Sequence, residues 1–188
     1  MRNLILTFLI TCFSTAALSA DWYSTAHVGF ASERQSTTGF KNSSGSMAFL
    51  DIGYNLNESL GLGIRTLMQG GQKTELSYYR MGSGPMMHWK VAPEWIVHGS
   101  FTSFNETALN EGGDKAYMSK GRSLMLGWEK VRKITDSIDV VYGSFVTQHK
   151  GRIDLTSQIS KEKNYNLRNI TDNSGLSHGF EIAIQMFL

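Results

Sequence analysis

The chain has 188 residues with 18 Lys and Arg against 16 Asp and Glu. A formal net charge of +2 excludes the strong basic field expected of a nucleic-acid-binding protein. Charged residues make up 18% of it, below the roughly 25% of ordinary soluble domains, and a single cysteine excludes an internal disulfide framework.

The first twenty residues read as a cleaved secretory signal. Arg2 supplies a short positive start, Leu4 to Phe13 is apolar, and Ser14 to Ala20 is small and mostly polar. The apolar run is too short for a membrane-spanning helix and lacks a stop-transfer flank. Cleavage is expected after Ser19 or Ala20. Leu9-Ile10-Thr11-Cys12 invites a lipoprotein reading, but Thr11 is a poor residue before a lipidated cysteine. Cys12 then leaves with the signal, and residues 21–188 form a single domain with no linker, solenoid repeat or low-complexity tract.

Eight segments of period-two alternation follow. They are Trp22 to Arg34, Ser46 to Asn55, Leu60 to Met68, about Leu76 to Val91, Trp95 to Phe104, about Lys120 to Lys133, Ile138 to Gln148, and the last dozen residues from Ser177. In the last segment Phe180, Ile182, Ile184, Met186 and Leu188 alternate with Gly179, Glu181, Ala183, Gln185 and Phe187. Each segment is near the 9–11 residues that a tilted strand needs to cross a bilayer. Gly82-Ser83-Gly84-Pro85 interrupts the fourth, where a β-bulge is expected because proline lacks the ladder donor.

Connectors alternate in length. Asn57-Glu58, Ala92-Pro93-Glu94 and Thr135-Asp136-Ser137 are tight turns, whereas Gln35 to Gly45, Asn105 to Ser119 and His149 to Leu176 read as long loops. The connector around Gly70-Gly71-Gln72-Lys73 is intermediate. Short turns at one end and long loops at the other is the pattern of outer-membrane barrels.

A lipocalin-like barrel would turn its apolar face inward and show a face rich in Lys and Glu to water. Here the opposite face carries Gly29, Gly53, Gly61, Gly63, Gly82, Gly84, Gly127, Gly143 and Gly179 with isolated charges, which suits a crowded narrow interior. Trp22, Tyr54, Trp89, Trp95, Trp128 and Tyr142 all fall on the apolar face near the short turns, as an aromatic girdle at one membrane interface would. The fold class is therefore all-β: an eight-stranded antiparallel up-and-down transmembrane β-barrel. An even strand count would leave both termini on the periplasmic side.

With these features the chain resembles the small eight-stranded bacterial outer-membrane barrels, the OmpX-, OmpA- and OmpW-like group. The most specific element is Ser177-x-Gly179-x-x-Ile182-x-Ile184, which is similar to the terminal signal read by the barrel-assembly machinery. The chain departs from the usual pattern in ending at Leu188, with Phe187 one place early. The resemblance implies insertion into the outer membrane of a Gram-negative cell, with outer-membrane lipids and the assembly machinery as partners. A monomer is expected.

No catalytic set, cofactor or metal site is expected. His98-Gly99-Ser100 is similar to the His-x-Ser of the lipid A deacylases, but parity points both side chains into the barrel, away from a lipid substrate. His27, His88, His149 and His178 lack the spacing of a zinc or copper site. Loops 105–119 and 149–176 are the expected places for a surface ligand. In the second, Lys150, Arg152, Lys161, Lys163 and Arg168 are expected to contact lipopolysaccharide phosphates weakly. Ile153, Leu155 and Ile159, followed by Tyr165 and Leu167, suggest a protruding hairpin. Their odd parity would need a bulge near Gly151 to change face.

Eight strands leave an interior just wide enough for side chains to fill it. A turn centred near Glu58 places Asp51 opposite Arg65, both inward, and unpaired burial of either would cost several kcal/mol. Arg65 is expected to pair with Asp51, with Glu129 and Glu181 as further acids and Arg80 as a second cation higher in the barrel. The expected function is a non-catalytic barrel with a filled polar lumen and long external loops. The alternatives are a porin-like conduit for small solutes and a lipid A-modifying enzyme.

Overall fold

A computed structural model describes residues 22–36, 42–73, 75–155 and 172–187. The signal region, the cleavage site, Leu188 and the stretch carrying Ile159, Lys161, Lys163, Tyr165, Leu167 and Arg168 lie outside them. Eight strands form one closed barrel in sequence order: β1 (Trp22–Gln35), β2 (Ser43–Asn55), β3 (Leu60–Lys73), β4 (Leu76–Ala92), β5 (Trp95–Leu109), β6 (Lys115–Lys133), β7 (Ile138–Leu155) and β8 (Asp172–Phe187). Every neighbouring pair is antiparallel, and β1 closes on β8 from Tyr23↔Phe187 to Gln35↔Gly175. Closure leaves no free sheet edge.

Burial is inverted relative to a water-soluble core. Large apolar side chains point outward and are exposed, among them Phe30, Ile64, Leu126, Phe180 and Ile182, while Asp51, Arg65, Arg80, Glu106 and Glu33 are at most 2% exposed inside. The outward apolar stretch occupies roughly the half of each strand next to the short turns at 56–59, 93–94 and 134–137. Toward the other end the outer face becomes polar, as with Ser32 and Arg34 on β1, Ser44 and Ser46 on β2, and Lys120 and Arg122 on β6.

Three sequence expectations are corrected. The strands run well past the alternation that marks them, so 105–119 is not a loop: β5 and β6 continue to a short turn at 110–114. Apolar alternation ends where the outer face turns polar, but the backbone ladder continues. No bulge occurs at Gly82–Pro85. The ladder to β5 skips Gly84 and Pro85 and resumes at Met86↔Ser100 without a shift, its irregularity falling instead at Lys90/Ala92, while the β5–β6 ladder shifts at Ala108/Leu109. Nor is there a bulge near Gly151, since β6 and β7 keep one register from Lys133↔Asp139 to Tyr117↔Leu155. Ile153 is odd-numbered because it faces the interior, where it packs with Leu76, Tyr78, Ala108, Ala116 and Tyr117.

Candidate functional site

The interior is layered rather than uniformly polar. Nearest the short turns, Tyr23 and His88 pack as tilted rings 4.6 Å apart. A first polar cluster follows. Asp51 and Arg65 are register partners on β2 and β3. Arg65 Nε donates to Asp51 Oδ1 at 2.7 Å and Arg65 Nη2 to Asp51 Oδ2 at 2.6 Å. This is the two-pronged geometry that suits a guanidinium and a carboxylate. Arg65 Nη1 donates to His98 Nδ1 at 3.0 Å, and His27 Nε2 donates to Asp51 Oδ2 at 3.1 Å.

Glu129 and Glu181 reach the same place from β6 and β8. His27 Nδ1 lies 3.3 Å from Glu129 Oε1 and 3.1 Å from Glu181 Oε2, and His98 Nε2 lies 3.2 Å from Glu181 Oε1. The expectation of no metal ligation rested on spacing along the chain. The barrel instead gathers His27, Glu129 and Glu181 from three strands, with one ligand-type atom of each inside a 4.8 Å cluster.

Above this cluster lies an apolar layer of Ala31, Met47, Phe49, Leu67, Met125 and Phe145. Phe49 meets Phe145 edge-on at 5.6 Å and receives the Arg65 guanidinium 4.9 Å from its ring centre, a cation–π contact.

A second polar cluster sits toward the loop end. Arg80 joins Glu106 at 2.6 Å through Nη2 and Glu33 at 3.2 Å through Nη1. Lys73 Nζ lies 3.0 Å from Glu106 and 3.2 Å from Glu33. Tyr117 Oη and Asn173 Nδ2 also donate to Glu106, at 2.7 and 2.8 Å. Sequence reasoning placed Arg80 in this part of the barrel but missed its partners. Lys73 and Glu106 stand beyond the apolar alternation that marks β3 and β5. Glu33 is legible only from its odd, inward parity on β1.

His98 and Ser100 both face the interior, 2% and 5% exposed, so neither is presented on the outer face. Trp22, Tyr54, Trp89, Trp95, Trp128 and Tyr142 stand on the outside toward the short turns, with Trp22 edge-on to Tyr54 at 5.6 Å. On β8, Ser177 and Gly179 face inward and Ile182 and Ile184 outward.

A further group lies on the outer face, just beyond the apolar stretch toward the loop end. Lys120 pairs directly with Arg152, and Arg122 with Lys150, and all four are exposed. Like charges directly opposite one another in a ladder are destabilising. Arg122 also lies 5.9 Å over the Phe101 ring, and among the described residues Asp172 is the one acid in register with the group, beside Arg152. Sequence reading found Lys150 and Arg152 but not Lys120 and Arg122. Counting back across the 134–137 turn was the signal that could have joined them.

The sequence matches no protein-family model and no curated protein. Solved structures share the fold. Neisserial surface protein A superposes with a TM-score of 0.57 at 12% identity, over 89% of this chain and 97% of its own. Ail, the attachment invasion locus protein of Yersinia pestis, was solved with the heparin analogue sucrose octasulfate. It superposes with a TM-score of 0.50 at 13% identity, over 87% of this chain and 99% of its own. The fold of the small eight-stranded outer-membrane barrels is the one seen here.

Proposed function

We propose that this chain is a non-catalytic bacterial outer-membrane barrel that anchors lipopolysaccharide through a basic patch on β6 and β7. The supporting observation is the inverted burial: a closed ladder with apolar side chains outside and ion pairs inside. Each strand is hydrogen-bonded to a neighbour on both sides, as a lipid environment requires. The outward aromatics at the short-turn end then mark the periplasmic interface, with both termini there. The opposite rim meets the outer leaflet. Ser177, Gly179, Ile182 and Ile184 serve as the assembly signal, and the chain works as a monomer.

At that outer rim the four exposed cations outnumber Asp172 beside them and repel one another unless a further anion lies between them. Lipid A phosphates are anions at this depth, and Arg and Lys bind phosphate by charge-assisted hydrogen bonds. Filled lumen layers argue against a solute conduit. The inward placement of His98 and Ser100 argues against lipid A chemistry at that pair.

The test is to purify wild-type protein and the Lys120→Gln/Arg122→Gln/Lys150→Gln/Arg152→Gln variant from outer-membrane fractions and quantify bound lipopolysaccharide. The variant should retain several-fold less, and the difference should shrink as salt is raised. Equal retention at low salt would refute the patch, and recovery of folded protein only outside the outer membrane would refute the location.

A further inference from the structure

The two polar clusters of the lumen differ in charge. The loop-end cluster sets Glu33 and Glu106 against Lys73 and Arg80 and is balanced. The other sets Asp51, Glu129 and Glu181 against Arg65 alone, which leaves a formal charge of −2 among side chains 1–4% exposed. Buried charge requires compensation.

Its hydrogen bonds fix where the excess sits. A guanidinium only donates, so His98 Nδ1 accepts from Arg65 and the neutral ring carries its proton on Nε2, beside Glu181 Oε1. His27 donates from Nε2 to Asp51, which turns the Nδ1 lone pair toward the two glutamates. His27 Nδ1, Glu129 Oε1 and Glu181 Oε2 are all buried, and none has a hydrogen-bond partner. Three acceptors therefore converge. A proton on Nδ1 would cancel half of the excess charge and, in this orientation, bond neither oxygen well.

We propose that His27 Nδ1, Glu129 Oε1 and Glu181 Oε2 form a lumenal site for a divalent first-row transition metal, with zinc the best fit. Ligands about 2.0 Å from a tetrahedral zinc lie roughly 3.3 Å apart, and His27 Nδ1 is 3.1 and 3.3 Å from the two carboxylate oxygens. A +2 ion with neutral imidazoles cancels the excess. Asp51 on His27 Nε2 and His98 on Glu181 supply the outer hydrogen bonds that orient metal ligands. A small void lined by Thr25, His27, Asp51, His98, Glu129 and Gln185 adjoins the triad and offers room for a water as fourth ligand. Such a site would tie β1, β6 and β8 together across the closing seam, independently of any lipopolysaccharide contact on the outer face.

The triad is buried, so metal is supplied during refolding. Full-length protein is refolded into micelles with zinc, or with cobalt(II) as a spectroscopic probe, then desalted and assayed for metal by mass spectrometry. Heat-shifted gel mobility reports folding. Wild type should keep about one zinc per barrel, and the cobalt form should show the intense visible absorption of a tetrahedral site. Glu129→Gln, Glu181→Gln and His27→Gln should each cut retention by about tenfold or more, and Asp51→Asn should weaken affinity about 10–100-fold. His149→Gln should change nothing. If a triad variant fails to fold, chelator competition on wild type together with the Asp51→Asn shift decides the matter. Wild type without stoichiometric zinc, or folded triad variants that keep it, would overturn the site.

Discussion

Replacing Arg65 by Met removes a guanidinium that makes two short bonds to Asp51, one to His98 and a ring contact with Phe49. The methionine fills most of the space but leaves Asp51, 2% exposed, with only the 3.1 Å bond from His27. Breaking a buried pair from one side typically destabilises by about 3–5 kcal/mol, a factor of roughly 10² to 10⁴ in the folding equilibrium. Removing both charges, as Asp51→Asn/Arg65→Met, leaves no orphaned ion at that pair and should recover at least half of the loss. Urea unfolding in phospholipid vesicles, followed by the fluorescence of the four tryptophans with chelator present throughout, measures Arg65→Met, Asp51→Asn and the double variant. A single-variant loss below about 1 kcal/mol, or a double variant no more stable than the sum of its singles, would refute the reasoning from stranded charge.

Two glycines offer a matched comparison. A Cβ at Gly127 would collide with His98 Nε2, so Gly127→Ala should displace the ring and destabilise by about 1–3 kcal/mol in the same assay. At outward Gly99 the nearest atom would be the tip of Leu126, 3.4 Å away, and Gly99→Ala should stay within about 0.5 kcal/mol. In planar bilayers the wild type should give no stable conductance steps, because apolar and ionic layers fill the bore. Shortening the loop-end cluster with Lys73→Ala/Arg80→Ala should make openings more frequent. Steady channels in the wild type would contradict the filled interior.

The barrel was legible because apolar outward residues alternate with small or polar inward ones on every strand, and because tight turns fix register by counting. Asp51 opposite Arg65 follows from the Leu56 to Leu60 turn alone. Legibility faded where that alternation stopped. Past Met68 and Phe104 the outer face becomes polar, and the ladder, which consists of backbone bonds, carries no side-chain signature there. Lys73 and Glu106 lay in that blind stretch, and so did the pairing of Lys120 with Arg152. The gathering of His27, Glu129 and Glu181 was hidden for another reason. It depends on ring closure between strands far apart in sequence, and neither spacing nor periodicity encodes it.

Seven of the eight strand pairings join sequence neighbours; the eighth joins β1 to β8. The seam therefore has a separation in sequence close to the length of the domain. Its closure entropy grows only with the logarithm of that separation, but it gains nothing until both ends of the sheet meet. Contacts of this kind slow folding far more than they alter stability. Until they form, the half-built sheet presents two bare edges and an unsealed ionic interior, the state most exposed to aggregation and proteolysis. The residues along β1 and β8 thus govern how long the chain stays vulnerable, quite apart from what they contribute once the ring is shut.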